Sequence, residues 1–295
     1  MELRQLEYLV TVVDEGGFSA AARRLGVAQP SVSEQIRKLE EELRQPLLDR
    51  LPRRVVPTPA GQELVEHARQ ILSRVRQAAS RATDAAGLVC GPLTVAAIPT
   101  IAPFLLPQLI QAYEKAYPDV KLKVVEDTTP RLIELIERGD VDIALASTAE
   151  SQGSVHVEHV CDEPLHLMTS TKHRLANRSR IQGKDLTEER FVALHELHCL
   201  ADQSMKFCAR QGVYPPIIMQ GSNLFTLAAM VASNMGVSMV PAMMMQAPLP
   251  RDVVFHDFKG DKPVRPLTLL WSLLRYRTLA SREFANMAIR AMKKK

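Results

Sequence analysis

Apolar residues recur at helical spacing in the segment from residue 18 to residue 43. Small side chains come first, and then Val32, Ile36, Leu39 and Leu43 recur at intervals of four, three and four. This spacing predicts two short helices joined by a turn at Gly26. The second helix is polar on its outer side, as in a helix-turn-helix that enters the major groove of DNA. An ordinary helical hairpin in a bundle would show the same pattern.

The residues that follow favour DNA binding. Three arginines, Arg50, Arg53 and Arg54, stand next to Val55 and Val56, which have the composition of a strand. A short hairpin with arginines is the expected wing of a winged helix-turn-helix, whose arginines reach phosphates or the minor groove. The net charge is only +4, so its placement matters more than its sum. From residue 44 to residue 54 four arginines face one aspartate, which is the basic patch that phosphate contact requires.

A single long helix is predicted from residue 59 to residue 86. Thr58 can cap it and Pro59 fits its first turn. Apolar residues then follow a heptad spacing, at Leu64, Ala68, Ile71, Val75, Ala78 and Ala82. Such a seam predicts pairing with the same helix of a second copy. A dimer presents two recognition helices, so we expect a pseudo-palindromic site in double-stranded DNA.

Beyond the helix breaker at residues 87–92, strand and helix patterns alternate. This alternation predicts an α/β domain with crossover helices. The predicted strands lie at 93–98, 120–126, 142–147, 156–160, 165–170, 191–194, 217–220, 237–241, 253–258 and 267–272. The predicted helices lie at 103–117, 131–139, 202–211, 223–234 and 280–293.

Composition narrows the class of protein. The 295 residues are 24% charged and 46% apolar, which is typical of a globular protein with two or three domains. We expect a cytoplasmic protein without membrane contact, because no apolar run spans a bilayer and the first residues do not read as a signal peptide. Four cysteines in a chain of this length do not form a disulfide scaffold.

Two of these cysteines, Cys199 and Cys208, mark the most distinctive local segment. Buried structural thiols are one interpretation. A metal site with His195 and His198 is another, although no CxxC or HxxxH spacing supports it. A hydrolytic nucleophile is a third, but no partner motif is visible. The fourth is a redox switch. In a straight helix the α-carbons of the two cysteines would be about 13 Å apart, whereas a disulfide needs about 7 Å or less. Forming the bond would therefore require this segment to refold, which supplies two states.

Residues 1–87, with the string LEYLVTVVDEGGFSAAARRLGVAQPSVSEQIRKLEEEL followed by LLDR, RR and PTPAG, resemble the N-terminal domain of LysR-type transcriptional regulators. The order of strands and helices beyond residue 92 is similar to the effector domain of that family. The resemblance implies a winged helix-turn-helix (residues 1–58), a dimerising linker helix (59–87) and an α/β effector domain (88–295). It further implies two lobes like those of periplasmic binding proteins, lobe I at about 92–161 and 267–295 and lobe II at about 162–266.

The resemblance also implies a function and a set of contacts. A LysR-type protein is a DNA-binding regulator and not an enzyme, and no cofactor or metal is expected. We expect a homotetramer and contact with RNA polymerase. The DNA-binding residues would lie in the second helix of the motif and in the wing, at Gln29, Pro30, Ser31, Ser33, Glu34, Lys38, Arg50, Arg53 and Arg54. The contrasting class is an exported solute-binding protein, or an enzyme, whose N-terminal helices have no role in DNA binding.

Two further strings, IPTIAPFLLP at 98–107 and HCLADQSMKFC at 198–208, resemble the hydrogen-peroxide-sensing members of that family. By this resemblance Cys199 would react with peroxide and Cys208 would resolve the product as a disulfide. Thr100, His198, Asp202 and Arg265 match positions that orient the peroxide. The alternative is a regulator of the same family that responds to a small metabolite bound between the two lobes.

Overall fold

The computed structural model of this chain describes residues 1–51, 54–148, 150–151, 153–195 and 198–293. The chain divides into two compact units, Met1–Ala86 and Gly87–Lys295. Each unit has its own apolar core, and each is built from the patterns that the sequence predicts.

The first unit begins with three helices, α1 (Leu3–Glu15), α2 (Phe18–Leu25) and α3 (Gln29–Leu43). Val32, Ile36 and Leu39 of α3 are fully buried against α1 and α2. Gly26 ends α2 in the left-handed region at φ 67°, so the predicted helix pair and its glycine turn are confirmed. The prediction was wrong for Leu43, which is 39% exposed because α3 ends there and the chain turns away from the core.

The wing follows as strands β1 (Leu48–Leu51) and β2 (Arg54–Pro57), which pair antiparallel. Helix α4 (Pro59–Ala85) then begins at the predicted cap, where the hydroxyl of Thr58 accepts the N–H of Gly61 at 3.0 Å. The carbonyl of Leu47 accepts the N–H of Thr58 at 3.0 Å and packs directly against Gly61. A Cβ at residue 61 would overlap that carbonyl oxygen, so glycine is required for the close approach.

The two halves of α4 differ in burial. Near its start, Val65 and Ala68 pack into the first unit and are buried. Further along, Val75 is 44% exposed, and Ala78 and Ala82 are exposed as well. Part of the heptad seam predicted from the sequence is therefore an uncovered apolar stripe within this unit.

The second unit is an α/β structure whose largest sheet has the order β4-β3-β5-β12-β6-β11-β7, with β10 also paired to β6, while β8 and β9 form a separate pair. Its strands are β3 (Gly91–Ala97), β4 (Val120–Glu126), β5 (Ile143–Ala146), β6 (Val155–Ser170), β7 (Arg180–Ile181), β8 (Phe191–Leu194), β9 (Ile217–Gly221), β10 (Ser238–Pro241), β11 (Val253–Phe258) and β12 (Val264–Ser272). Its helices are α5 (Ala102–Ala116), α6 (Thr129–Arg138), α7 (Cys199–Arg210), α8 (Leu224–Ala232) and α9 (Leu279–Met292).

Two apolar cores divide this unit into lobes. One core is built from β3, β4, β5, β12 and the helices α5, α6 and α9, and the other from β8, β10, α7, α8 and the second half of β6. Strand β12 pairs antiparallel along its length with residues 155–164 of β6, and these two strands connect the lobes. The predicted α/β fold with two lobes is therefore confirmed.

Strand β6 corrects one prediction. The sequence predicted separate strands at 156–160 and 165–170. The structure has one continuous strand, Val155–Ser170. Glu163 can remain in it because it faces Arg265 of β12 directly across the ladder, and this arginine neutralises its buried charge.

Candidate functional site: a thiol helix at a strand edge, and a DNA-binding surface

Helix α7 carries both cysteines of the distinctive segment. It begins at Cys199, three residues earlier than predicted, and ends at Arg210, so Cys208 lies in its last turn. Nine residues of helix separate the two α-carbons by about 13 Å, well beyond the reach of a disulfide. The first turn of a helix also has N–H groups without intrahelical partners, which favour a negative charge. Cys199 is the first residue of the helix and therefore lies beside these N–H groups.

The sulfur of Cys199 contacts a residue of the other lobe. Its Sγ lies 3.1 Å from the hydroxyl oxygen of Thr129, the first residue of α6. Thr129 is 6% exposed, whereas Cys199 is half-buried. The two groups can hydrogen-bond to each other, with either the hydroxyl or the thiol as the donor. Sequence reasoning missed Thr129, because its approach to Cys199 depends on strand order, which the sequence does not show.

A second contact ties α7 to the same lobe. The amide nitrogen of Gln203 donates to the backbone oxygen of Ser147 at 3.1 Å and to its hydroxyl at 2.9 Å. Gln203 follows Cys199 by one helical turn, so both side chains lie on one face of α7. Ser147 follows β5, just as Thr129 follows β4.

Strand order places Thr100 between these two contacts. β3 lies between β4 and β5 and is parallel to both, and Thr100 follows its carboxyl end. The chain passes from β3 to β4 on one side and then from β4 to β5 on the other side of β3. Ligands of α/β sheets bind at strand ends where the strand order reverses in this way. The helix with the cysteines thus lies along the edge that carries Thr129, Thr100 and Ser147.

Arg265 holds Thr100 in place. Its Nη1 donates to the Thr100 hydroxyl at 2.7 Å and its Nη2 to the Thr100 carbonyl at 3.1 Å. The guanidinium is fully buried, and the carboxylate of Glu163, 2.8 Å from Nε, balances its charge. The structure therefore brings two of the four predicted orienting residues into direct contact with each other.

The other two predicted orienting residues have different surroundings. His198 is the N-cap residue of α7 without a side-chain hydrogen bond to the helix, and burial, with a smaller effect from nearby His195, lowers the pKa of its imidazole. Asp202 points into solvent and pairs with Lys206 at 2.8 Å. Its described contact is thus with its own helix and not with Thr100 or Arg265.

Cys208 is the inaccessible member of the cysteine pair. It is 1% exposed in the core of its lobe, and burial raises the pKa of its thiol to about 11. At neutral pH it is therefore a protonated thiol.

In the reduced protein we expect iodoacetamide at pH 8 to label Cys199 at least about tenfold faster than Cys208, because alkylation needs an accessible thiolate. Peptide mass spectrometry over time measures both rates. Raising the pH towards 11 should increase the labelling of Cys208, and unfolding in urea should equalise the two residues. Equal rates in the folded protein at pH 8 would contradict this assignment.

The first unit presents the predicted DNA-binding residues on one motif. Five of them, all exposed, are Gln29, Pro30, Glu34 and Lys38 of α3 and Arg54 of the wing, and Ser31 and Ser33 are partly exposed. Arg50 is also exposed, with its guanidinium 4.8 Å from the ring centroid of Phe18. Arg53 lies outside the described residues. Glu34 accepts a hydrogen bond from Arg37 at 2.8 Å, which lowers the pKa of its carboxyl group.

A metal centre and a membrane-spanning helix are two further features that the described ranges do not contain. No group of three or more His, Cys, Asp or Glu residues there is close enough to hold a metal ion, so the described part of the chain does not assemble the metal site with His195, His198 and both cysteines. None of its helices combines the length and apolar character needed to cross a membrane.

Comparison with known proteins identifies the family. Residues 3–62 match the bacterial regulatory helix-turn-helix of the lysR family, and residues 86–293 match the LysR substrate binding domain. The hydrogen peroxide-inducible genes activator of Pectobacterium carotovorum is 36% identical, over 92% of this chain and 90% of its own. OxyR of Escherichia coli K12, a DNA-binding transcriptional dual regulator, is 35% identical over 92% of this chain and 89% of its own.

A solved structure agrees with these matches. A cysteine-to-serine mutant of Corynebacterium glutamicum OxyR, bound to H2O2, has a TM-score of 0.68 and 28% identity, covering 99% of this chain and 93% of that one. Both domains, their order and the fold correspond. The chain belongs to the LysR family of DNA-binding transcriptional regulators, which are not enzymes, and within that family it is similar to OxyR.

Proposed function

We propose that this regulator senses hydrogen peroxide through a thiol–disulfide switch between Cys199 and Cys208. One observation carries the proposal: the two cysteines occupy opposite ends of one helix, an accessible one at the strand edge and a buried one in the core. The relatives named for peroxide response support the choice of signal.

The chemistry proceeds in two balanced steps. The thiolate of Cys199 attacks one peroxide oxygen; the S–O bond forms, the O–O bond breaks, and the second oxygen leaves as water after taking a proton. The sulfur of Cys208 then attacks the sulfenic acid; the S–S bond forms, the S–O bond breaks, and a second water leaves. Peroxide is reduced to two waters, and two thiols are oxidised to one disulfide.

The second step requires a change of shape. The sulfurs must approach to about 2 Å, while α7 keeps the α-carbons about 13 Å apart. The helix must therefore unwind, and Cys199 must leave Thr129. The buried Cys208 must also leave its core, so oxidation exchanges one packed arrangement for another. This exchange is the two-state element by which the signal reaches the rest of the regulator.

The residues around the Cys199 thiol orient the peroxide. Thr100, held by Arg265, and Thr129 are the hydroxyl donors that hold the peroxide oxygens. His198, neutral at physiological pH because burial lowers the pKa of its imidazole, supplies one hydrogen bond at the start of α7. Asp202 has an indirect role: its ion pair with Lys206 lies on the outer face of α7, the helix that carries Cys199.

In the DNA-binding unit, α3 enters the major groove with the surface of Gln29, Pro30, Ser31, Ser33, Glu34 and Lys38, and the wing contributes Arg50, Arg53 and Arg54. The exposed stripe of α4 pairs with that of a second copy, which gives a dimer for a pseudo-palindromic operator. Two dimers form the tetramer, and RNA polymerase is a further partner at the promoter.

For DNA binding we expect Arg50→Ala to weaken affinity for all sequences alike and to reduce the slope of log affinity against log salt by about one, because it removes a phosphate contact. Glu34→Ala should instead change base preference by about 1–3 kcal/mol at one position. Retardation assays over a salt series with single-base operator variants measure both effects. Arg131→Ala, which removes an exposed charge from the other unit, is the control. Equal losses on every sequence for Glu34→Ala would argue against its role at a base edge.

The function itself is tested by footprinting. Purified protein on a DNA fragment selected for binding to it should give one footprint when reduced and a different one after stoichiometric peroxide, and dithiothreitol should restore the first. An unchanged footprint with peroxide, together with a change on adding a small metabolite, would instead favour the metabolite-binding alternative.

A further inference from the structure

The guanidinium of Arg265 is fixed on every side. Beyond its two hydrogen bonds to Thr100, its Nε and Nη2 each lie 2.8 Å from Oε2 of Glu163, and its Nη2 lies 3.7 Å from the sulfur of Met243. Arg265 is fully buried and Glu163 is 4% exposed. No solvent competes for these groups, so their geometry is set by one another.

Glu163 has neighbours that can only donate. One carboxylate oxygen accepts from Arg265, and the other accepts the backbone N–H of Met243 at 2.7 Å. A carboxylate accepts at both oxygens, whereas an amide presents a donor on one side. An amide at this position would therefore set a donor against Arg265 or against the N–H of Met243.

We infer that Glu163 is a positioning residue for the reaction of Cys199 with peroxide, and that it acts through Arg265 on Thr100. This inference rests on the proposed function. Glu163 and Arg265 face each other across β6 and β12, the two strands that connect the lobes. The ion pair therefore fixes the guanidinium relative to both lobes.

The hydrogen bonds determine what Thr100 can do. Because Nη1 of Arg265 donates to the Thr100 hydroxyl, that oxygen is an acceptor, and its own proton is directed elsewhere. Thr100 stands between the strand ends whose residues contact Cys199 and Gln203. Its proton can then be donated to a peroxide oxygen, which stabilises the charge that develops as the O–O bond breaks.

Glu163→Gln is the direct test, because the amide keeps the size but puts a donor against Arg265 or Met243. The Cys208→Ser background isolates the first step. We expect the rate of Cys199 sulfenylation by peroxide to fall at least about tenfold, while its alkylation by iodoacetamide changes less than about twofold. Alkylation needs the thiolate but no oriented O–O bond, so damage to the fold would change both rates.

A double-mutant cycle tests the route through Thr100. If Glu163 acts on Thr100, then Glu163→Gln combined with Thr100→Val should be no slower than Thr100→Val alone. Multiplied losses in the double variant would overturn the inference. If Glu163→Gln does not fold, Glu163→Asp keeps the charge but is too short to reach both partners, and an intermediate, peroxide-selective loss is expected.

The two proposals fail in different ways. If the parent protein does not form sulfenic acid at Cys199, the proposed function is wrong. If the parent reacts and the folded Glu163 variants react with peroxide as fast as it does, or lose both rates equally, the role of Glu163 is wrong while the sensor stands.

Discussion

The Cys199→Ser variant is expected to react with hydrogen peroxide at least about 100-fold more slowly than the parent protein. A serine hydroxyl is not ionised near neutral pH and is a far weaker nucleophile than a thiolate, although it fills nearly the same space beside Thr129. Stopped-flow measurement of peroxide consumption by the reduced protein gives the rate. The footprint of this variant on DNA should be the same with and without peroxide.

Two matched variants separate the roles of the cysteines. Cys208→Ser should consume peroxide at the parental rate and stop at the sulfenic acid, without the change in footprint. Cys90→Ser, which alters a thiol outside α7, should behave as the parent in both assays. A peroxide-dependent footprint that survives in Cys199→Ser would contradict the proposed switch.

The Gly61→Ala variant is expected to lose about 3 kcal/mol or more of stability in the DNA-binding unit. Its Cβ would overlap the carbonyl oxygen of Leu47, a backbone atom that also accepts the N–H of Thr58 and cannot move without breaking the start of α4. Urea unfolding of the full chain, followed by circular dichroism and by DNA retardation, measures the loss.

Gly17→Ala is the control for this substitution, because a Cβ there meets no atom within 4 Å and its backbone at φ −178° is open to any residue. We expect little change in DNA retardation for that variant. If both variants bound DNA alike and unfolded at the same urea concentration, the tight packing of Gly61 on Leu47 would not determine the stability of this unit.

Local chemistry is what made the first unit predictable. Pro59 and Thr58 could be assigned as a helix start because they act on their immediate neighbours, and the buried face of α3 follows directly from its spacing. The exception, Leu43, stands where the helix ends, and periodicity alone does not show where a face stops being covered. The exposed half of α4 agrees with the stripe predicted for it, while the pairing of two copies stays a prediction.

The redox site was only partly predictable, because its residues come from separate strands. The two cysteines and Thr100 stand in motifs, so a resemblance could point to them. Thr129 became visible only when strand order brought the end of β4 beside that of β3. Glu163 was not singled out from the sequence, since its partner Arg265 is 102 residues away and faces it only across the paired strands. Long-range pairing of this kind leaves no periodic signal.

Disulfide mapping is the sharpest test of the proposed thiol–disulfide switch between Cys199 and Cys208. The reduced protein is treated with one equivalent of peroxide, quenched in acid, and digested without reductant for peptide mass spectrometry. We expect a single cross-linked species that joins Cys199 to Cys208 with the loss of two hydrogen atoms, and we expect it to be absent after dithiothreitol. Both thiols unmodified, or Cys199 linked to a different cysteine, would contradict it.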